Sequence, residues 1–221
     1  MMKTSWLIWF GVTLLVTLYV WAGYVASRTD TISIRLEPGY STQVRIYRFA
    51  EDQLRMGLIF HDDNRARRGP ELGSYRTRSD WRATGFLEFE DPGSAVHIVA
   101  SMPGAAPVTY EALPSSARWA SKEKRDLTPE RSVSRGKWRW WPTSKGLALQ
   151  PGSSIVNIEV ATVEQPLVGQ SVDLTVHPAL GFYNLVPNVG WLWPSLLWPL
   201  YAIALAFWAV VLRRQNQMQK P

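Results

Sequence analysis

Two apolar runs flank the chain and set its plan. The first, Thr4 to Ser27, carries no charged residue. The second, Val189 to Leu212, carries none either and stops at Arg213-Arg214. At about 1.5 Å of helical rise per residue, each reaches roughly 36 Å. A bilayer hydrocarbon core is about 30 Å thick and takes about 20 apolar residues to cross. Both runs are therefore expected to be transmembrane helices, over residues 4–27 and 189–212. Residues 28–188 form one domain tethered to the membrane at both ends, and 213–221 a tail.

Between the runs the apolar period drops to two. Thr31–Leu36 and Thr42–Phe49 alternate apolar and polar, as half-buried strands do. Further strands are expected at Leu54–Phe60, Ala83–Glu90, Ala95–Ser101, Val108–Leu113, Ser154–Val163 and Gln170–His177. Turn signals separate them, at Pro38-Gly39, Asp91-Pro-Gly93, Pro103-Gly104, Pro151-Gly152 and Gly169. About eight short strands without a helical period imply a mainly β domain. We expect a β-sandwich, Ig-like or jelly-roll-like, because a sheet must bury one face. Leu36-Glu-Pro-Gly39 and Leu149-Gln-Pro-Gly152 look alike, but Pro-Gly is a favoured turn before any strand. Two polar, basic segments fit no element, His61–Trp81 and Ser115–Lys137. The second has room for a short helix.

Aromatic placement supports the membrane plan. Trp6, Trp9, Trp21 and Tyr24 bracket the first run, and Trp191, Trp193, Trp198 and Trp208 lie in or near the second. Such rings favour the lipid–water interface. Trp191-Leu-Trp-Pro194 reads as an interfacial entry, followed by a helix bent near Pro199. Ala22/Ala26 and Ala202/Ala206 have the spacing that lets membrane helices approach closely.

Charge adds an orientation. The formal net charge is +6, from 24 Lys and Arg against 18 Asp and Glu. All 18 acids lie between the runs, so that segment is nearly balanced. Lys3, Arg213, Arg214 and Lys220 lie outside it, and basic flanks stay in the cytoplasm. Both termini are expected to be cytoplasmic and the domain translocated, which places the chain in a bacterial inner membrane with a periplasmic domain. The basic balance is thus a topology signal, and no nucleic-acid partner is expected. The absence of cysteine and of Asn-x-Ser/Thr fits a bacterial envelope. The first run is longer than a signal-peptide core and is read as an uncleaved anchor.

Candidate chemistry is sparse. Lys137-Trp138-Arg139-Trp140-Trp141 interleaves aromatic and cationic groups, which suits a partner protein or the stacking of sugar rings. Core or sheet-edge packing explains the same residues. Arg118, Lys122, Lys124, Arg125, Arg131 and Arg135 form a candidate basic contact. Glu88 and Glu90 share one strand face about 6.7 Å apart, which overlaps glycosidase carboxylate spacing, although solvated strand faces look the same. His61-Asp62-Asp63 holds metal-ligand types but reads as a solvated turn. No nucleophile elbow, phosphate loop or zinc-spaced set occurs, so no enzyme, cofactor or metal is expected. Neither run carries a charged residue, which argues against transport by this chain alone. The expected function is a non-catalytic accessory or scaffold subunit of an inner-membrane assembly. Its partners would be the membrane and other inner-membrane or periplasmic subunits. The alternative is a periplasmic glycan- or lipid-binding module of envelope polysaccharide machinery.

Overall fold

The structure, a computed structural model, describes residues 4–61, 70–75, 87–115, 124–129, 139–140, 145–181 and 187–218. It divides into two compact units, Thr29–His177 and the flanking segments Met1–Arg28 with Pro178–Pro221.

The flanking unit is helical. Helix α1 spans Thr4–Ser27. A 3-10 stretch covers Pro187–Leu197, and helix α2 follows over Trp198–Met218. Proline sets this division. Pro194 sits within the 3-10 stretch. Pro199 is the second residue of α2, where a missing N–H costs nothing because first-turn donors have no intrahelical acceptor. The expected bend at Pro199 is thus a helix start instead. The apolar part of α2 from Trp198 to Leu212 rises only about 22 Å, so a full crossing needs part of the 3-10 stretch.

The two helical segments pack through one stripe of α1. Trp9, Thr13, Val16 and Tyr19 are half-buried and Gly23 and Ala26 are buried, a spacing of three or four residues that keeps them on one face. Trp9 Nε1 donates to the Leu205 carbonyl at 3.0 Å, and the Tyr19 hydroxyl to the Trp191 carbonyl at 2.6 Å. At Gly23 the segments approach tightly. A Cβ there would fall 1.6 Å from Ser195 Oγ, so only glycine fits. Ala26 is buried and its carbonyl accepts from Leu180 N at 3.1 Å, whereas Ala202 and Ala206 are exposed. On α2, Tyr201, Leu205 and Trp208 are half-buried and Leu212 is buried.

The outward surfaces of both helices are apolar. Leu7, Ile8, Phe10, Leu14, Leu15 and Leu18 on α1, and Leu200, Ile203, Phe207 and Val210 on α2, are all at least half exposed. Burying one such side chain fully is worth about 1.5–3 kcal/mol. Leaving all of them in water would therefore cost on the order of 10 kcal/mol, comparable with the whole stability of a typical domain. A lipid surrounding would remove that cost. The two long apolar helices are consistent with a two-pass membrane protein.

The second unit is β-rich. Its strands are β1 (Asp30–Arg35), β2 (Ser41–Arg48), β3 (Asp52–Gln53), β4 (Met56–Phe60), β5 (Ser74–Tyr75), β6 (Leu87–Asp91) and β7 (Val96–Ser101). They continue with β8 (Val108–Pro114), β9 (Lys124–Pro129), β10 (Arg139–Trp140), β11 (Ala148–Leu149), β12 (Gly152–Val163) and β13 (Ser171–Val176). Eight of them form one antiparallel sheet in the order β1-β13-β4-β9-β8-β7-β12-β2. A three-stranded sheet, β10-β6-β5, and a two-stranded one, β11-β3, complete the described strands.

This arrangement differs from the expected pair of stacked sheets. A flat eight-stranded sheet would hold its edges roughly 34 Å apart. Yet edge strands β1 and β2 are joined by residues 36–40, which reach at most about 21 Å. That connection is also stitched down, with Leu36 N donating to Gln170 O at 2.9 Å and Gly39 N to Val160 O at 2.8 Å. The sheet therefore curls into a nearly closed, barrel-like form around a single core. Alternation supplies the core. Val44 and Ile46 of β2, Val96, Ile98 and Ala100 of β7, and Val172, Leu174 and Val176 of β13 all face inward and are buried.

Strand β9 lies in a segment with no expected strand, and β6 pairs outside the main sheet. Residues 83–86 of the expected Ala83–Glu90 strand lie outside the described residues.

Candidate functional site

One group of charged side chains in the β unit lies at the end of the barrel where its first and last main strands meet. Asp30, which opens β1, pairs in register with Val176, which closes β13. The chain thus enters and leaves the barrel at the same end. Arg48, Asp52, Arg55, Lys124, Asp126 and His177 surround that end.

Arg48 occupies an inward position at the end of β2, one alternation beyond Val44 and Ile46, and is 6% exposed. Its Nε lies 3.2 Å from Asp52 Oδ2, an ion pair too oblique to be a hydrogen bond. Nη2 donates to the His177 carbonyl at 2.8 Å and Nη1 to the Tyr47 carbonyl at 3.1 Å. Burial pushes the Arg48 guanidinium down from its ordinary value, and the Asp52 carboxylate pushes it back up. Asp52 is buried as well. Its Oδ1 accepts from Gln53 N at 2.8 Å, and its Oδ2 lies 3.9 Å from Arg55 Nη2.

His177 follows β13 and lies over the outer wall. Gly57 of β4 provides its seat: a Cβ there would sit 3.3 Å from His177 Nε2 and 3.1 Å from Lys124 Cε. Lys124 Nζ is 3.4 Å from His177 Nε2 and 3.2 Å from Asp126 Oδ1. The His177 backbone N–H donates to the Arg55 carbonyl at 2.9 Å. Burial, then the Lys124 ammonium, lowers the His177 imidazole below its ordinary value, with Asp126 opposing.

A second polar group is wholly internal. Arg125 of β9 is 1% exposed. It donates to the carbonyls of Ser94 at 2.7 Å and Pro92 at 2.8 Å, and to that of Ala112. Beside it the chain crosses itself at Gly93, where a Cβ would strike Glu71 O at 2.4 Å. Across the core, the Tyr110 hydroxyl accepts from Leu147 N at 2.8 Å and donates to Leu54 O at 3.3 Å. Burial pushes that phenol up to about 12. These groups hold the backbone in place and touch no open surface.

The expected contact residues fall as follows. Arg125 is not a surface contact, because its guanidinium is the internal tie just described. Lys124 is half-buried against His177 and Asp126. Arg139 and Trp140 form β10 on the edge of the small sheet, with Arg139 opposite Glu88 and Trp140 opposite Leu87. Lys137, Trp138, Trp141, Arg118, Lys122, Arg131 and Arg135 lie outside the described residues. Glu88 and Glu90 both fall within β6. His61 Nε2 pairs with Asp173 Oδ2 at 2.8 Å, and Asp62 and Asp63 lie outside the described residues. Among the described residues, no three His, Asp or Glu side chains gather as metal ligands.

Arg48, Asp52 and His177 were not singled out from the sequence. The available signal was Arg48 itself, an arginine at the inward phase of an alternating strand, which demands an internal partner.

No protein-family model and no curated protein matches the chain. A crystal structure of a protein from Sulfurospirillum deleyianum is similar at 17% identity and a TM-score of 0.41, covering 68% of this chain and 97% of that one.

Proposed function

We propose that the chain is a non-catalytic scaffold subunit of a bacterial inner-membrane assembly. Its two apolar segments form one anchor, both termini face the cytoplasm, and the barrel stands on the periplasmic side. The observation that carries this reading is the helix pair: α1 and the second apolar segment hold each other through Gly23–Ser195, Trp9–Leu205 and Tyr19–Trp191. An anchor of that kind suits holding a domain at a fixed place. Lys3, Arg213 and Arg214 support the orientation. The polar end of the barrel supports a structural role, since Arg48, Asp52 and Lys124 spend their hydrogen bonds and ion pairs internally.

Purification of the full chain in mild detergent tests the reading. Partner subunits should co-purify in fixed stoichiometry, and a double Trp138→Ala, Trp140→Ala change should weaken their retention while the fold persists. If the chain purifies alone and binds envelope polysaccharide through those tryptophans, the glycan-binding module replaces the scaffold.

A further inference from the structure

His177 stands where the barrel ends and the connection to the second apolar segment begins. We infer that it is a proton-operated clasp: the neutral ring holds the end of β13 against the barrel wall, and protonation releases it.

The geometry suits the neutral form. Lys124 Nζ lies 3.4 Å from His177 Nε2, a contact that a neutral ring satisfies by accepting through the Nε2 lone pair. The seat over Gly57 keeps the ring close, because no side chain lies between it and the wall. The backbone of the same residue is fastened twice, through its N–H to Arg55 O and through its carbonyl to Arg48 Nη2.

A proton on Nε2 converts the acceptor into a second cation facing Lys124. Asp126 Oδ1, 4.0 Å from Nε2, is the available counter-charge, but it already pairs with Lys124 at 3.2 Å. The other charged groups around the ring's end of the barrel do not relieve the conflict. Arg55 adds a cation, Asp52 is committed to Arg48 and Arg55, and Asp30 lies in β1 opposite Val176. Lys124 and the imidazolium then compete for one carboxylate, and one of them leaves the seat.

The direction of the pH effect follows from the lowered imidazole. The folded value lies below the unfolded one, so the clasp contributes fully above the unfolded value of about 6.5. Its contribution is lost as pH falls from there through the folded value. That a periplasmic domain meets ambient acid rests on the orientation proposed above; the clasp itself does not.

The test uses the full chain in detergent micelles. The protein has three histidines, so His61→Gln and His97→Gln assign the ring signals by NMR. His177 should titrate below the ordinary histidine value, with Lys124→Met raising its titration point and Asp126→Asn lowering it. Hydrogen-exchange protection of the His177 amide, corrected for intrinsic rate, should fall several-fold between pH 7.5 and 5. A His177→Gln chain should show no such fall. A titration point at or above the ordinary value, indifference to Lys124→Met, or equal protection at both pH values would overturn the clasp. None of these readings depends on which side of a membrane the domain occupies.

Discussion

A guanidinium with 1% exposure is costly to bury unless its donors are used. Arg125 uses them on the carbonyls of Pro92, Ser94 and Ala112, and so ties the turn before β7 and the body of β8 to β9. Replacing it with Met keeps most of the volume but removes every donor. Each buried carbonyl left without its partner costs about 1–3 kcal/mol, so Arg125→Met should lose about 3 kcal/mol or more. A lower denaturation midpoint of the full chain in micelles, at unchanged slope, would register this, whereas an unchanged midpoint would contradict the tie. The same residue explains why β9 was hard to read from sequence. Lys124-Arg125-Asp126-Leu127 does alternate inward and outward, but an arginine occupies an inward place. The pattern then looks like a charged loop, and Arg125 looks like a surface contact.

At the scale of elements, close packing of the helical segments depends on Gly23, since any Cβ there would overlap Ser195. Gly23→Leu should force them apart and break the Tyr19–Trp191 hydrogen bond at 2.6 Å. The chain has no cysteine, so spin labels can be attached at Gly11→Cys and Phe207→Cys, both outward positions. Their separation should be a single narrow distribution in the parent and a longer, broader one with Gly23→Leu. A distribution unmoved by that change would mean the contact does not hold the pair.

The helices themselves are legible in the sequence as two long uncharged apolar runs. Their contact face was not. Ala202 and Ala206 have the right spacing yet face outward, while bulky Tyr201, Leu205 and Trp208 are half-buried. Spacing alone does not say which side of a wholly apolar helix meets its neighbour. Most strands were legible because one face of the sheet is buried and the other is not, which writes period two into the sequence. Closure was not legible. It follows from β1 and β2 standing at opposite ends of the sheet order while only five residues join them, and pairing partners leave no trace in alternation.

The whole molecule comprises a barrel-like β unit, whose first and last main strands begin and end on the same side of the sheet, and a separate unit of two long apolar helices. Of the group around His177 only Lys124 stands out in the sequence, because its members come from β2, β3, β9 and the end of β13. Only the folded sheet brings those segments together. The two-pass orientation proposed above can be measured directly, because the chain has no cysteine. Ala106→Cys places a thiol on an exposed turn of the barrel, and Gln217→Cys places one on the exposed end of α2. In intact spheroplasts a membrane-impermeant maleimide should label position 106 at once and position 217 only after the membrane is opened. Labelling of 217 with protection of 106, or equal labelling of both in sealed spheroplasts, would contradict the account.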